Sequence, residues 1–394
     1  MTTQLDSARQ IIEDKLDELL ANHDPHGDMP EFLGARFDAG LAWVYYPEGL
    51  GGLGLPRPLQ AIVEDRMREV DAPNPGMYNA LGIGMGAPVL LAHGTEEQQQ
   101  RWLRPMFTCE EIWCQMFSEP GSGSDVAALS TKAVRDGDEW VVNGQKVWTT
   151  LAHVSKWGML VVRTDPDVPK HRGMSYFIVD MESDGVEVRP LRQITGEAEF
   201  NEVYFDDARI PHENLLGDVG DGWRIALTTL MNERVMIGGA TAPRNSGAIG
   251  DLVDLWKEHG GTDGDRDRVM QLWVEAEAAR LTNIRARDNR KAGTPGPEGS
   301  TGKITYATLN QRIYELAVEL MGAEGMLYSS YEMRRPGMFE PIEDPRKAFL
   351  RARGNSIEGG TTEIMKQILG ERVLGLPGEP RVDKDLPWSE VPRS

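Results

Sequence analysis

The spacing of apolar residues changes twice along this chain, and that change constrains the fold more than any single motif. Residues 1–115 carry helical spacing, as in Ile11–Leu20. Residues 116–220 contain short strand-like runs such as Met174–Val179, separated by Gly, Pro and Asp turns. Helical spacing returns over residues 221–394. This order predicts an α+β fold with an N-terminal helical domain, a middle β domain (a small barrel or sandwich) and a C-terminal helical domain.

Helical segments in the C-terminal region suit an antiparallel bundle. The predicted helices cover residues 223–239, 264–291, 303–322 and 362–374. Gly and Pro predict a turn within Asn289–Lys303. The tail after Gly375 is rich in Pro and charge, so we expect it to be extended or to pack on a neighbouring chain.

Acidic residues outnumber basic ones by 62 to 42, which gives a formal net charge of −20. Such a surface argues against nucleic acid or an anionic membrane as the main partner, although a local basic site can still bind an anionic ligand. We find no signal-peptide pattern and no apolar stretch of membrane-spanning length. Cys109 and Cys114 lack metal-ligand spacing. These features predict a cytoplasmic protein without a metal site.

Two runs have the composition of ligand contacts. Phe117–Asp125 is rich in Gly and Ser, which let backbone N–H groups approach a ligand and add hydroxyl donors. Asn143–Thr150 follows the strand-like Glu139–Val142, and its Asn-Gly pair predicts a hairpin that returns with a tryptophan and two threonines. Taken alone, a Gly/Ser-rich turn beside a hairpin is more often only a turn.

Together the two runs resemble the acyl-CoA dehydrogenase family, in which they bracket the flavin. The resemblance covers nearly all 394 residues. It implies an N-terminal helical domain, a middle β-barrel, a C-terminal four-helix bundle, FAD as cofactor and an acyl-CoA substrate. The cofactor contacts that it implies are Gln115, Phe117, Ser118, Gly123, Ser124, Trp148, Thr149, Thr150, Thr361 and Glu363. Ser124 also matches a serine that reaches toward the substrate, and helix capping alone would explain Glu363.

The implied reaction needs a base that removes the α-proton of the thioester while the β-hydrogen leaves as hydride to the flavin. The thioester acidifies the α-carbon only modestly, so the base must be a desolvated carboxylate. In many family members a glutamate directly precedes a Gly-Thr-Ser sequence in a C-terminal loop. Here Gly360-Thr361-Thr362 aligns with that sequence, and Gly359 takes the place of the glutamate. Glu358 lies one residue early and is the alternative base.

The isovaleryl-CoA dehydrogenase branch places its base on the first long helix of the C-terminal bundle, immediately before an arginine. Glu233-Arg234 occupies that position here. Helical spacing independently puts Glu233 on one stripe with Ala226 and Leu230. A buried ion pair would also explain a carboxylate in that stripe. The resemblance favours Glu233 as the base, with Arg234 as a substrate contact, a support for the nearby loop or a structural salt-bridge partner.

Two family elements that complete the FAD site from a neighbouring subunit are altered. Arg-x-x-Phe-Gly is missing from Ala240–Gly250, and Gln-x-x-Gly-Gly reads Glu319–Ala323. We therefore expect a divergent branch that is either a homotetramer or an α2β2 complex with a related subunit. Electron-transfer flavoprotein or a similar acceptor is the implied redox partner.

Two other interpretations stay open. Flavin oxidases and monooxygenases share this fold but pass electrons to oxygen. The missing cross-subunit element also suits a structural subunit of a heteromeric dehydrogenase, although the retained Glu233 and Trp148–Thr150 argue against it. The sequence does not name the acyl group.

Overall fold

The computed structural model describes residues 2–238, 243–291, 298–381 and 383–392. Its N-terminal helices are Thr2–Asn22 (α1), Met29–Asp38 (α2), Gln60–Glu69 (α3), Pro75–Tyr78 (α4), Ala87–His93 (α5) and Glu96–Phe107 (α6). A capping box with the Thr-x-x-Gln pattern begins α6. The Thr95 hydroxyl accepts the Gln98 N–H at 3.2 Å, and Gln98 Oε1 accepts the Thr95 N–H at 3.0 Å.

The middle region forms one eight-stranded sheet. Its strands are Trp113–Met116 (β1), Lys132–Asp136 (β2), Glu139–Thr150 (β3), Trp157–Arg163 (β4), Met174–Asp180 (β5), Val186–Pro190 (β6), Phe200–Pro211 (β7) and Leu215–Leu216 (β8). The order is β6-β7-β3-β2-β4-β5-β8, and β1 pairs in parallel with β4.

Strand β4 is buried along its whole length because its alternate residues belong to two different cores. Met159 and Val161 pack into a core shared with the N-terminal helices, whereas Leu160 and Val162 pack into a second core with Trp140. Its continuous apolar sequence follows from this burial on both faces.

The hairpin predicted at Asn143-Gly144 is wrong. Both residues lie inside the continuous strand β3, and its register with β7 shifts beside Gly144. The actual turn joins β2 to β3, where Asp136 pairs with Glu139. Gly144 has φ 150°, and a Cβ there would lie 2.5 Å from Thr131 Oγ1. The glycine is therefore required by a strand irregularity and a close backbone approach rather than by a turn.

The C-terminal helices are Gly222–Gly238 (α7), Ala248–His259 (α8), Asp263–Lys291 (α9), Glu298–Leu320 (α10), Pro345–Ala352 (α11) and Thr362–Arg372 (α12). The order of helices, sheet and helices confirms the predicted α+β class. Helices α8 and α11 were not among the predicted helices. Residues 289–291 and 298–303 of the predicted turn are helical, and residues 292–297 lie outside the described residues. The domain boundaries predicted at 115/116 and 220/221 stay a prediction.

Residues 383–391 of the tail pack on the middle domain of their own chain, whereas residues 376–381 are exposed and have no regular secondary structure. The backbone N–H of Trp388 donates to Val168 O at 2.9 Å, and the Arg163 guanidinium lies 4.9 Å from the Trp388 ring centroid. Lys170 Nζ donates to Asp383 at 2.7 Å. The end of the chain thus lies across the loops that follow β4.

Candidate active site

The Gly- and Ser-rich run is joined to strand β3 by both backbone and side chain. The Val147 N–H donates to Ser118 O at 2.9 Å. Lys146 Nζ donates to Phe117 O at 3.1 Å and to Glu119 Oε1 at 2.7 Å. The Lys146 and Glu119 side chains are 0% and 4% exposed. The two predicted cofactor segments therefore form one unit around a buried ion pair.

Glu119 joins the two ends of the loop that connects it to Ser130 and Thr131. Its carboxylate accepts the Ser130 N–H at 2.7 Å, the Ser130 hydroxyl at 2.9 Å and the Thr131 N–H at 3.0 Å. Burial alone would raise the pKa of Glu119, but the Lys146 cation and these donors lower it to about 2. Burial also lowers the pKa of Lys146, and Glu119 opposes that shift. Because every oxygen is satisfied, the pair can be held fully buried.

Trp148 presents its indole outward from an uncommon backbone conformation. Its φ is 60°, and Leu151 has φ 56° at the other end of the segment. The Trp148 side chain is 57% exposed, and its ring meets Phe200 edge to face at 5.8 Å. Left-handed conformations of bulky residues cost energy and concentrate at functional sites. This geometry offers a flat aromatic surface to a ligand.

Thr149 carries a buried hydroxyl whose Oγ1 has no hydrogen-bond partner among the described residues. Its backbone is fixed, because Asn201 Nδ2 donates to Thr149 O at 3.1 Å. Leaving a buried hydroxyl unsatisfied costs about 1–3 kcal/mol. Thr150, the next residue of the strand, is half-buried. A ligand with polar edges would satisfy such groups.

The other predicted contacts in this region differ in exposure. Gly123 and Ser124 are exposed, and a Cβ at Gly123 would meet no described atom within 4 Å. Phe117 is buried with its ring edge-on to Tyr176 at 5.9 Å, and Gln115 lies half-buried in β1. The exposed aromatic ring, the unpartnered hydroxyl and the open Gly/Ser run together fit a planar heteroaromatic group such as a flavin.

Thr361 and Glu363 stand at the start of α12. The Thr361 hydroxyl accepts the Ile364 N–H at 3.2 Å and caps the helix. Glu363 is exposed in the first turn, where negative charge suits the helix dipole. The Thr361 hydroxyl is therefore used in capping α12, whereas the Glu363 side chain is exposed on the surface.

Glu358, the alternative base, is bound to a cation. Arg351 donates to both of its carboxylate oxygens, at 3.1 and 2.7 Å, and Asn355 Nδ2 donates at 2.7 Å. Burial would raise the pKa of Glu358, but Arg351 and Asn355 outweigh it and hold the pKa below its usual range. A carboxylate stabilised in its ionised form is a weak base.

Glu233 is half-buried on α7, on the same stripe as the buried Ala226 and the half-buried Leu230. Lys303 of α10 is buried and within electrostatic range of both candidate bases. Burial lowers the pKa of Lys303, and the charges of Glu358 and Glu233 oppose that shift. The fold therefore brings the two carboxylates to one region of the helical domain.

Two predicted features fall partly outside this description. The Arg234 side chain and residues 240–242 of the divergent segment lie outside the described residues. Glu319, which stands where the family has glutamine, forms an ion pair with Arg268 of the same chain at 2.7 Å. Its carboxylate is engaged within the bundle.

Helical regions before and after a β sheet in the chain, with an exposed aromatic ring and an unpartnered hydroxyl on that sheet, are what the resemblance to flavin-dependent dehydrogenases implies. Family models match the chain in three parts: the acyl-CoA dehydrogenase N-terminal domain at 2–110, the middle domain at 114–208 and the C-terminal domain at 220–374. The chain belongs to the acyl-CoA dehydrogenase family. It is an FAD-dependent oxidoreductase, and the resemblance inferred from the sequence is confirmed.

Relatives extend this match. Acyl-CoA dehydrogenase IpdE1 of Mycobacterium tuberculosis is 37% identical over 343 residues, covering 86% of each chain. Acyl-CoA dehydrogenase FadE34 of the same organism is 38% identical over 348 residues, covering 87% of this chain and 46% of that protein. The ChsE4–ChsE5 complex from M. tuberculosis contains a similar chain, with 28% identity, a TM-score of 0.70 and coverage of 96% and 99%.

Sequence analysis missed Lys146 and Arg351. Lys146 is an even number of residues from the buried Trp140 and Val142 in the same strand, so the alternation of the strand places its side chain inward. A buried lysine indicates that a carboxylate lies near it. Arg351 gave no comparable signal, because its partners are recognised only in three dimensions.

The described residues contain no group of three or more His, Cys, Asp and Glu side chains suited to a metal ion. Their helices include none with the length and apolar character needed to cross a membrane.

Proposed function

We propose that Glu233 is the base of this acyl-CoA dehydrogenase and removes the α-proton of a bound acyl-CoA thioester. The observation that carries the proposal is the bidentate Arg351–Glu358 pair, at 3.1 and 2.7 Å, which stabilises the rival carboxylate in its ionised form. Glu233 is half-buried on α7, on one stripe with the apolar Ala226 and Leu230, and directly precedes an arginine as the resemblance requires. When bound, FAD supplies a hydride acceptor at N5.

The proposed cofactor site follows from the exposed and unsatisfied groups described above. Trp148 provides a flat surface, and the Thr149 and Thr150 hydroxyls provide hydrogen bonds. Ser118, Gly123 and Ser124, with Gln115 and Phe117 beneath them, border the flavin, and Thr361 and Glu363 lie near its nucleotide part. Ser124 and Arg234 stay proposed substrate contacts.

The test of the proposed function is a flavin titration. The purified protein, with any subunit that copurifies, should show a bound-flavin spectrum. Under anaerobic conditions one class of acyl-CoA from a panel of straight, branched, aromatic and steroid-derived esters should bleach it. Slow reoxidation in air supports a dehydrogenase, and rapid reoxidation with peroxide release supports the oxidase alternative. A protein that takes up FAD but is bleached by none of these esters contradicts the proposed activity.

We further propose that the chain works in an oligomer, as a homotetramer or an α2β2 complex with a related subunit, and passes electrons to an electron-transfer flavoprotein. Support comes from the altered cross-subunit elements and from the similarity to one chain of the ChsE4–ChsE5 complex. Light scattering with flavin-to-protein stoichiometry separates the two forms, since an α2β2 complex can hold half as many flavins. A monomer with one tightly bound FAD contradicts both. The retained Glu233 argues against a purely structural subunit.

A further inference from the structure

Arg351 of α11 contacts two domains at once. Its guanidinium donates to both carboxylate oxygens of Glu358, in the loop before α12. Its Nε lies 3.6 Å from Glu199 Oε1, on the loop before β7 in the middle region. It also lies 5.5 Å from the Phe200 ring centroid, and that ring meets Trp148. One side chain thus connects the C-terminal loop to the strand that carries Trp148.

Glu199 extends this connection into the backbone of the cofactor segment. Its carbonyl accepts the Leu151 N–H at 2.8 Å, directly after Thr150. Its carboxylate accepts a hydrogen bond from Gln193 and faces Arg351. Glu199 therefore fixes the end of the Trp148–Thr150 segment with its backbone while its side chain meets the cation.

The C-terminal side is equally constrained. Asn355 donates to Glu358 at 2.7 Å and receives a bond from Asn310 of α10 at 2.7 Å. The buried Lys303 donates to Asn355 O. The loop that leads into Thr361 is therefore fixed to α10 and, through Arg351, to the middle domain.

Charge balance requires Arg351 at this place. The side chains of Arg351, Glu199 and Glu358 are only 22%, 16% and 35% exposed. Burial raises the pKa of Glu199, and Arg351 opposes that shift. Without the cation, each of these partly buried carboxylates would lose its arginine partner.

We propose that Arg351 is a positioning residue that holds the segment beginning at Thr361 in register with Trp148, so that FAD meets both at once. The inference rests on the proposed function of these segments as cofactor contacts. Arginine suits the role because its planar fork binds one carboxylate bidentately while its Nε faces a second.

The test uses the full protein and two measurements. In Arg351→Gln, hydrogen exchange of the apoprotein at residues 353–363 should accelerate, and the FAD dissociation constant should rise about tenfold or more. Arg351→Lys should be intermediate, because it keeps the charge but loses the fork. Arg334→Gln is the matched control. It removes another arginine that joins the middle region to the C-terminal region, through Glu197 at 2.7 Å, and should change neither measurement.

A double variant separates positioning from charge balance. Arg351→Gln with Glu358→Gln should recover part of the thermal stability, because one of the two carboxylates that lost their cation is gone, but FAD affinity should stay low. Wild-type FAD affinity in the double variant, or unchanged exchange in Arg351→Gln, would overturn the inference. A wild-type protein that takes up no FAD contradicts the proposed function instead, and the exchange measurement still decides the role of Arg351 in the loop.

Discussion

The middle β domain and the C-terminal helical domain satisfy their apolar surfaces differently. Strand β4 is buried on both faces within a single chain. The helices instead leave large apolar side chains in the open: Met231, Met270, Val274 and Leu281 are 63%, 48%, 58% and 53% exposed. Exposed apolar side chains on these helices are what we expect if the proposed oligomer forms through the helical domain.

Their ion pairs show the same contrast. The Lys146–Glu119 pair is 0% and 4% exposed, but the Arg268–Glu319 pair between α9 and α10 is 46% and 56% exposed. Breaking a buried pair leaves an uncompensated charge, whereas exposed pairs contribute about 1 kcal/mol or less. Single substitutions of charged residues should therefore lower the stability of the β domain more than that of the helical domain. The proposed active-site residues are the exception, because their substitution should affect activity.

That exception gives the largest expected effect. Glu233→Gln should lower turnover by about 10²–10⁴-fold, because glutamine keeps the shape but cannot accept the α-proton. FAD binding should be unchanged. Glu358→Gln is the matched control and should cost far less activity. Rapid-reaction kinetics of flavin bleaching measures both, and an inactive Glu358→Gln beside an active Glu233→Gln would reverse the assignment.

The buried pair of the β domain comes next. Lys146→Met should lower the free energy of unfolding by about 3–5 kcal/mol, since Glu119 is left buried without its cation. The double variant with Glu119→Gln should recover much of that loss. Denaturant unfolding measures each, and a Lys146→Met variant as stable as the wild type would contradict the contrast between the domains.

The same pair predicts a pH dependence. The pKa of Glu119 is about 2 in the folded chain, below the ordinary value of 4.5 that applies to the unfolded chain. A lowered folded pKa stabilises the fold above the unfolded value, so this contribution should be present above about pH 4.5 and lost as the pH falls toward about 2. When the free energy of unfolding is measured between about pH 4.5 and pH 2, the Glu119→Gln variant should lack this loss of stability.

The exposed helix face should respond through assembly. Val274→Asp should weaken association by about 2 kcal/mol, the scale of burying one valine. Val134→Asp is the control, because Val134 is 60% exposed on β2 of the middle domain. Light scattering over a dilution series compares them. Equal behaviour of the two variants would argue against a helical domain built for contact.

The tail gives the smallest expected effect. Trp388→Ala should lower the free energy of unfolding by about 1–2 kcal/mol through loss of the cation–π contact with Arg163 and of packing. Trp388→Phe keeps a ring over Arg163 and should lose about half as much. Thermal unfolding distinguishes them, and no change in either would mean that the tail contributes nothing to the β domain.

Much of the fold was predictable because local patterns specify it. The Thr95 cap of α6 and the stripe on α7 that carries Glu233 each depend on residues only a few positions apart in the sequence. The hairpin at Asn143-Gly144 failed because the same dipeptide also suits a strand irregularity, and only the close approach of Thr131 decides between them.

By itself the sequence determined the order of the elements, the family and the segments that hold candidate contacts, since these depend on periodicity and short-range motifs. Only the tertiary structure decided which charges compensate each other. Lys146 meets Glu119 across 27 residues, and Arg351 meets Glu199 from another domain. A carboxylate's strength as a base depends on such neighbours and on burial, which is why the Arg351–Glu358 pair bears on the proposal that Glu233 is the base.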